Sequence, residues 1–172
     1  MFDEIRRIYR QSLKPADSYF NLYLARPLAA PLVALFARTR VTPNQITFLS
    51  IVVALLAMVP LVLHGGALGL ALGIIGVELA YVLDCVDGQL ARVTGRTSPV
   101  GGELDFLMDE LKAYLLVAAI ALRWQLHDGG GAHALYVGLA TLVVIGAALS
   151  LTRFVRTPEY AAATGTARQQ HG

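Results

Sequence analysis

Cysteine and charge are scarce in this chain. Cys85 is its single cysteine, and 15% of the 172 residues are charged. One thiol cannot close an internal disulfide, and no Cys/His spacing suits zinc or a haem, so Cys85 is read as packing. His127 and His133 flank a glycine-rich stretch with no second ligand pair and make no metal site of their own; His64, beside two glycines, is assigned no role. The net charge is +2, and the basic residues gather at the ends of apolar runs rather than along one face, which argues against a nucleic-acid partner. No signal peptide is expected at the start, because the first apolar run begins late and lacks a cleavage pattern.

Apolar residues are abundant instead, at 56% with a mean hydropathy of +0.58. This predicts an all-α fold, a polytopic transmembrane helical bundle with an N-terminal interfacial amphipathic helix. The expected divisions are a cytoplasmic or interfacial segment over 1–40, a membrane core over 41–156 and a polar tail over 157–172. Phe2, Ile5, Ile8, Tyr9 and Leu13 form an approximate helical stripe. Leu28 to Phe36, interrupted by Pro31, is too short to cross about 30 Å of hydrocarbon and reads as an interfacial helix, with a packed core helix as the alternative.

Four spans are expected after it. Thr42, Pro43 and Gln45 predict a capped start for the first, which runs to about Leu63 with Pro60 kinking it or marking its last turn. The second begins near Ala67 and carries Glu78, an acid that should face the bundle or a partner rather than lipid. Gly69, Gly73 and Gly76 offer this span small surfaces for close helix approach. The third covers about Gly101 to Leu126, with Trp124 at the far interface, and the fourth about Leu135 to Arg153. Arg and Lys precede the first span, sit between the second and third, and follow the fourth, which puts both termini on the cytoplasmic side.

The stretch from Asp84 to Asp109 carries the chemistry. As helix, Asp84, Asp87, Gly88 and Ala91 share one face, and Gly101, Asp105, Asp109 and Lys112 share a face on the next helix. Gly95, Ser98 and Pro99 break the helix between them, which makes a helical hairpin. At ~1.5 Å per residue the acids lie roughly 8 and 12 Å down one arm and roughly 9 and 15 Å down the other, so they overlap in depth. Four ionised carboxylates that close repel unless some are protonated or cations lie between them. An all-oxygen cluster suits Mg²⁺, with Mn²⁺ as a substitute, and Gly88 and Ala91 leave room for a phosphate carried on a nucleotide. A pair of solvated acidic helix ends is the plainer alternative, disfavoured by the membrane-length runs beside the acids.

The pattern Asp-x2-Asp-Gly-x2-Ala-Arg-x8-Gly-x3-Asp-x3-Asp resembles the signature of the CDP-alcohol phosphotransferases at every fixed position: Asp84, Asp87, Gly88, Ala91, Arg92, Gly101, Asp105 and Asp109. Thr42-Pro43-Asn44 is similar to the segment that opens the first transmembrane helix of that family, so the resemblance covers roughly Arg26 to Arg156. It implies a Mg²⁺-dependent enzyme of phospholipid synthesis that moves a phosphatidyl or other substituted phosphate group from CDP-diacylglycerol or another CDP-alcohol to an acceptor alcohol, releasing CMP. It further implies Asp84, Asp87, Asp105 and Asp109 as metal ligands and Asp109 as the base. Gly88, Ala91, Arg92 and Gly101 would lie at the nucleotide, with a juxtamembrane helix before the first span. The active site would face the cytoplasm from a bacterial or archaeal cytoplasmic membrane. Lys112, Arg153 and Arg156 are candidates for holding an anionic acceptor such as glycerol phosphate or inositol phosphate, although ordinary positive-inside anchoring accounts equally well for the two arginines.

The family usually has six spans, and four of adequate length are expected here. That leaves open a truncated, inactive member, a bundle completed by a partner chain as in a homodimer, or an incomplete site. A Mg²⁺-dependent intramembrane prenyltransferase and a non-enzymatic cation carrier are rival readings of the same acids.

Overall fold

A computed structural model of the chain describes Ile8, Tyr9 and residues 19–165. Among the described residues there is no strand. A π-helical turn, Asn21–Ala25, leads into α1 (Arg26–Phe36), followed by α2 (Pro43–Leu63), α3 (Gly66–Thr94), α4 (Pro99–Leu126), α5 (Gly131–Val155) and α6 (Pro158–Thr164). Of the expected N-terminal stripe, Phe2, Ile5 and Leu13 lie outside the described residues. Ile8 is buried in the core against α1, and the Tyr9 hydroxyl donates to Leu22 O at 2.9 Å.

Local chemistry sets most element ends where the sequence puts them. Thr42 Oγ1 accepts from Gln45 N–H, and Gln45 Oε1 accepts from Thr42 N–H at 2.9 Å, closing the capping box that starts α2. α2 continues through Pro60 to Leu63, so that proline sits in the last turn. Gly95, at φ +67°, ends α3 in the left-handed conformation, and Ser98 Oγ accepts from Gly101 N–H at 3.0 Å to start α4. The break between the acidic arms is therefore only 95–98.

Other boundaries differ for tertiary reasons. Pro31 does not interrupt α1: Ala29, Ala30 and Val33 are fully buried, largely against α3, and hold the helix through the proline, while Leu28 and Leu35 stay exposed. The short apolar helix is thus packed on one side and open on the other. α5 starts at Gly131, earlier than expected, because buried Ala134 anchors its first turn and donates to Gly130 O at 3.2 Å. The expected polar tail contains α6, capped by Thr157 Oγ1 on Tyr160 N–H.

Three helices, α2, α3 and α5, are long and apolar enough to cross a membrane. α4 is as long, at 28 residues, but Glu103, Asp105, Asp109, Glu110 and Lys112 occupy its first half, so only its second half carries the apolar character expected of a fourth span. α2 lies at the centre and packs on both α3 and α4; α1 covers α3, and α5 covers α4. The expected glycine contacts are present: a Cβ on Gly73 would come within 2.8 Å of the Leu61 side chain, and one on Gly76 would collide with Ala57. α3 and α4, by contrast, pack closely on α2 but not on each other, so the hairpin arms stand apart and leave a cleft.

Candidate active site

The cleft is where the acids meet. One carboxylate oxygen each from Asp84, Asp105 and Asp109 lie within 4.8 Å of one another. Asp84 comes from α3 and the other two from α4, so both arms contribute. Lys112 makes an ion pair with Asp84 and another with Asp109 Oδ1 at 2.8 Å. The lysine was a candidate for holding an acceptor; here its ammonium sits on the carboxylates and reduces their mutual repulsion. Asp109 is half exposed, whereas Asp84 is mostly covered.

Asp87 stands apart from this oxygen cluster. Its carboxylate is buried and accepts a hydrogen bond from the Thr47 hydroxyl, which also donates to Pro43 O at 3.2 Å. Asp87 lines both clefts beside the three converging acids, with its carboxylate held to α2.

Two adjoining clefts, each about 210 Å³, share Asp87, Gly88, Arg92 and Asp105 as a common wall. The first opens between the starts of α2 and α4 and adds Thr47, Ala91, Ser98 and Gly101. The second adds Asp84, Asp109, Arg26 and Tyr81. All four residues expected at a nucleotide, Gly88, Ala91, Arg92 and Gly101, thus line the first cleft. A Cβ on Gly88 would make ordinary contact with the Arg92 guanidinium at 3.4 Å, and one on Gly101 would sit 3.1 Å from Ser98 Oγ and 3.4 Å from Asn44 Oδ1. Arg153 and Arg156 lie elsewhere, in a separate cavity of about 240 Å³ that meets the first cleft at Gly102. Arg153 pairs with Glu103 at 3.4 Å, and the Arg156 guanidinium lies 5.7 Å from the centre of the Phe106 ring.

The sequence reading missed three contributors. Arg26, only 4% exposed, reaches the second cleft from α1; Thr47 fixes Asp87; and Tyr81 hydrogen-bonds to the Asn21 side chain at the cleft rim. Thr47 was visible, with Ser50, as a hydroxyl within an apolar run, but nothing local tied it to Asp87. Glu78, expected to face the bundle or a partner, lies on an exposed face of α3 beside Leu24, Leu28 and Leu79.

The donor set is all oxygen, comes from two helices and lies within the compass of one ion, so it fits a hard divalent cation.

Relatives with known names share this region. An archaetidylinositol phosphate synthase of Pyrococcus horikoshii is 38% identical over 89 residues, covering 49% of this chain and 45% of that protein. One of Aeropyrum pernix is 37% identical over 101 residues, covering 58% and 49% respectively. A bifunctional IPC transferase and DIPP synthase of Thermococcus kodakarensis is 34% identical over 116 residues, covering 62% of this chain and 24% of its own length. The chain therefore spans between about a quarter and a half of the relatives it matches. Residues 40–169, a range that holds the acidic arms, the first cleft and all three membrane-length helices, match CDP-alcohol phosphatidyltransferase, and the chain is accordingly an integral membrane protein of the CDP-alcohol phosphatidyltransferase family.

Proposed function

We propose that the chain transfers a substituted phosphate group from a CDP-linked lipid to the hydroxyl of an acceptor alcohol, releasing CMP, in phospholipid synthesis. The observation that carries this reading is the convergence of Asp84, Asp105 and Asp109 beside a cleft lined by Gly88, Ala91, Arg92 and Gly101. The names of two relatives support an acceptor of the inositol phosphate type. The basic residues around the acidic end support a site facing the cytoplasm of a bacterial or archaeal cytoplasmic membrane. Lipid, or a second copy of the chain, would cover the outward apolar residues of α5 such as Val143, Val144 and Leu151.

Asp84, Asp105 and Asp109 would hold Mg²⁺, or Mn²⁺ in its place, with Asp87 beside them. When bound, such an ion neutralises charge on the diphosphate and on departing CMP. Gly88 and Gly101 keep the first cleft open for the nucleotide, and Arg92 offers a guanidinium to phosphate oxygens from the shared wall. Asp109, the exposed acid of the cluster, accepts the proton of the attacking hydroxyl as its oxygen bonds to the lipid-linked phosphorus. The bond from that phosphorus to the CMP oxygen breaks, and CMP leaves with its electron pair. Lys112 keeps the Asp109 carboxylate oriented through their ion pair. Arg153 and Arg156, one residue away across Gly102, are placed for the acceptor's phosphate.

The test is CMP release from CDP-diacylglycerol by the purified chain with Mg²⁺, using glycerol phosphate, inositol phosphate and serine as acceptors. Release that requires both the metal and inositol phosphate is the expected result. No release with any of them contradicts the reading.

A further inference from the structure

We infer that Thr47 of α2 is a positioning residue that makes the acidic site select Mg²⁺ over Ca²⁺, by holding one oxygen of Asp87 and leaving only the other for a cation. This rests on the metal reading above and adds to it a residue that lies outside the acidic arms.

The hydroxyl is placed by its own helix before it meets Asp87. Thr47 lies one turn after Pro43, and its Oγ1 reaches Pro43 O at 3.2 Å, the carbonyl four residues back that a helical threonine can bond. Pro43 is fixed in turn, because the Thr42–Gln45 capping box starts α2 at that residue. The Thr47 carbonyl is tied as well, by the fully buried Ser50, whose hydroxyl donates to it at 2.8 Å. A β-branched side chain held in this way has little freedom left about its first torsion.

Asp87 arrives from α3, and its Oδ2 accepts from that hydroxyl. The hydroxyl has a single proton for two acceptors, and a charged carboxylate binds it more strongly than a carbonyl does. Thr47 and Asp87 are 3% and 4% exposed, so bulk water does not stand in for either. Asp87 lines both clefts on a wall shared with Asp105, one of the three converging acids, and Thr47 lines the first cleft. The engaged oxygen is therefore turned to α2, and Oδ1 is the one left for a cation beside it.

That restriction discriminates between ions. Ca²⁺ takes roughly six to eight oxygens and accepts carboxylates through both of theirs, whereas Mg²⁺ demands a near-octahedral set and does not need a bidentate ligand. With Oδ2 engaged, Asp87 offers one oxygen. Thr47 thus withholds a ligand that Ca²⁺ would use and takes nothing from Mg²⁺.

The full chain in detergent, with CMP at fixed concentration, would be titrated with MgCl₂ or CaCl₂ and followed by thermal shift, a readout that involves no turnover. The quantity read is the ratio of the two midpoints. Thr47→Val keeps the shape and removes the hydroxyl, and its ratio should move about 10-fold toward Ca²⁺, the size expected for one charge-assisted contact. Thr47→Ser restores the hydroxyl and should stay within about three-fold of the parent. If Thr47→Val does not fold, Thr47→Ala reads the same ratio. A role in packing alone would lower the melting temperature without metal and leave the ratio at the parent's. That result overturns the assignment, as does an equal loss for both ions, or a Thr47→Ser ratio displaced as far as that of Thr47→Val. A parent chain whose stability with CMP responds to neither ion overturns the metal reading, and this assignment with it.

Discussion

The two ends of the bundle handle buried polarity in opposite ways. At the far end, Arg123 of α4 spends its donors on backbone: Nη1 bonds Leu61 O at 3.1 Å and His64 O at 3.0 Å, and Nη2 bonds Gly66 O at 2.9 Å. Its Nε pairs with Asp128 at 3.3 Å, and His127 Nε2 donates to Val62 O at 2.9 Å. These groups satisfy the carbonyls left over where α2 ends, and the cluster is closed. At the acidic end, carboxylates from two helices converge on one another, and Lys112 is the cation that contacts two of them. Such a cluster holds like charges side by side. A polar group answered by backbone holds the fold; like charges held together by separate helices call for a ligand.

That contrast can be broken at several points. The largest effect belongs to the shared cluster: Asp84→Asn and Asp105→Asn should each abolish Mg²⁺-dependent stabilisation by CDP-lipid in thermal-shift measurements, because each removes one of the three converging carboxylates. Next comes Asp109→Asn, which keeps size and one coordinating oxygen but has no basic carboxylate. CDP-lipid binding should be largely retained, while CMP release falls by about 10²- to 10⁴-fold. Gly88→Leu adds bulk against Arg92 without changing charge. Binding of CMP should drop by about 10-fold or more in calorimetry, with membrane insertion preserved. Smallest at the active site is Arg123→Ala, which removes the side-chain donors to Leu61, His64 and Gly66 O at the opposite end: stability should fall by about 2–4 kcal/mol in denaturant unfolding, with CMP affinity of the folded fraction unchanged.

What could be read from the sequence follows the range of the interactions. The Thr42–Gln45 capping box, the Gly95 and Ser98 signals and the spacing of the acids act within a few residues, and the structure has them where periodicity places them. Thr47 reaches Asp87 across 40 positions, and Gln89 reaches Arg26 across 63. No local pattern carries such pairs. The hairpin estimate put all four acids at similar depth, but depth along a helix does not say which neighbour a carboxylate turns to, and Asp87 turns to α2. The role of Arg123 depends on where α2 stops, which is a fact of packing.

The central claim is that one divalent ion is shared by α3 and α4, and diffraction from the protein with Mn²⁺ tests it most directly. The account predicts an anomalous peak about 2.0–2.2 Å from carboxylate oxygens of Asp84, Asp105 and Asp109. A peak held by residues of only one helix, or none among these three acids at saturating Mn²⁺, would contradict it.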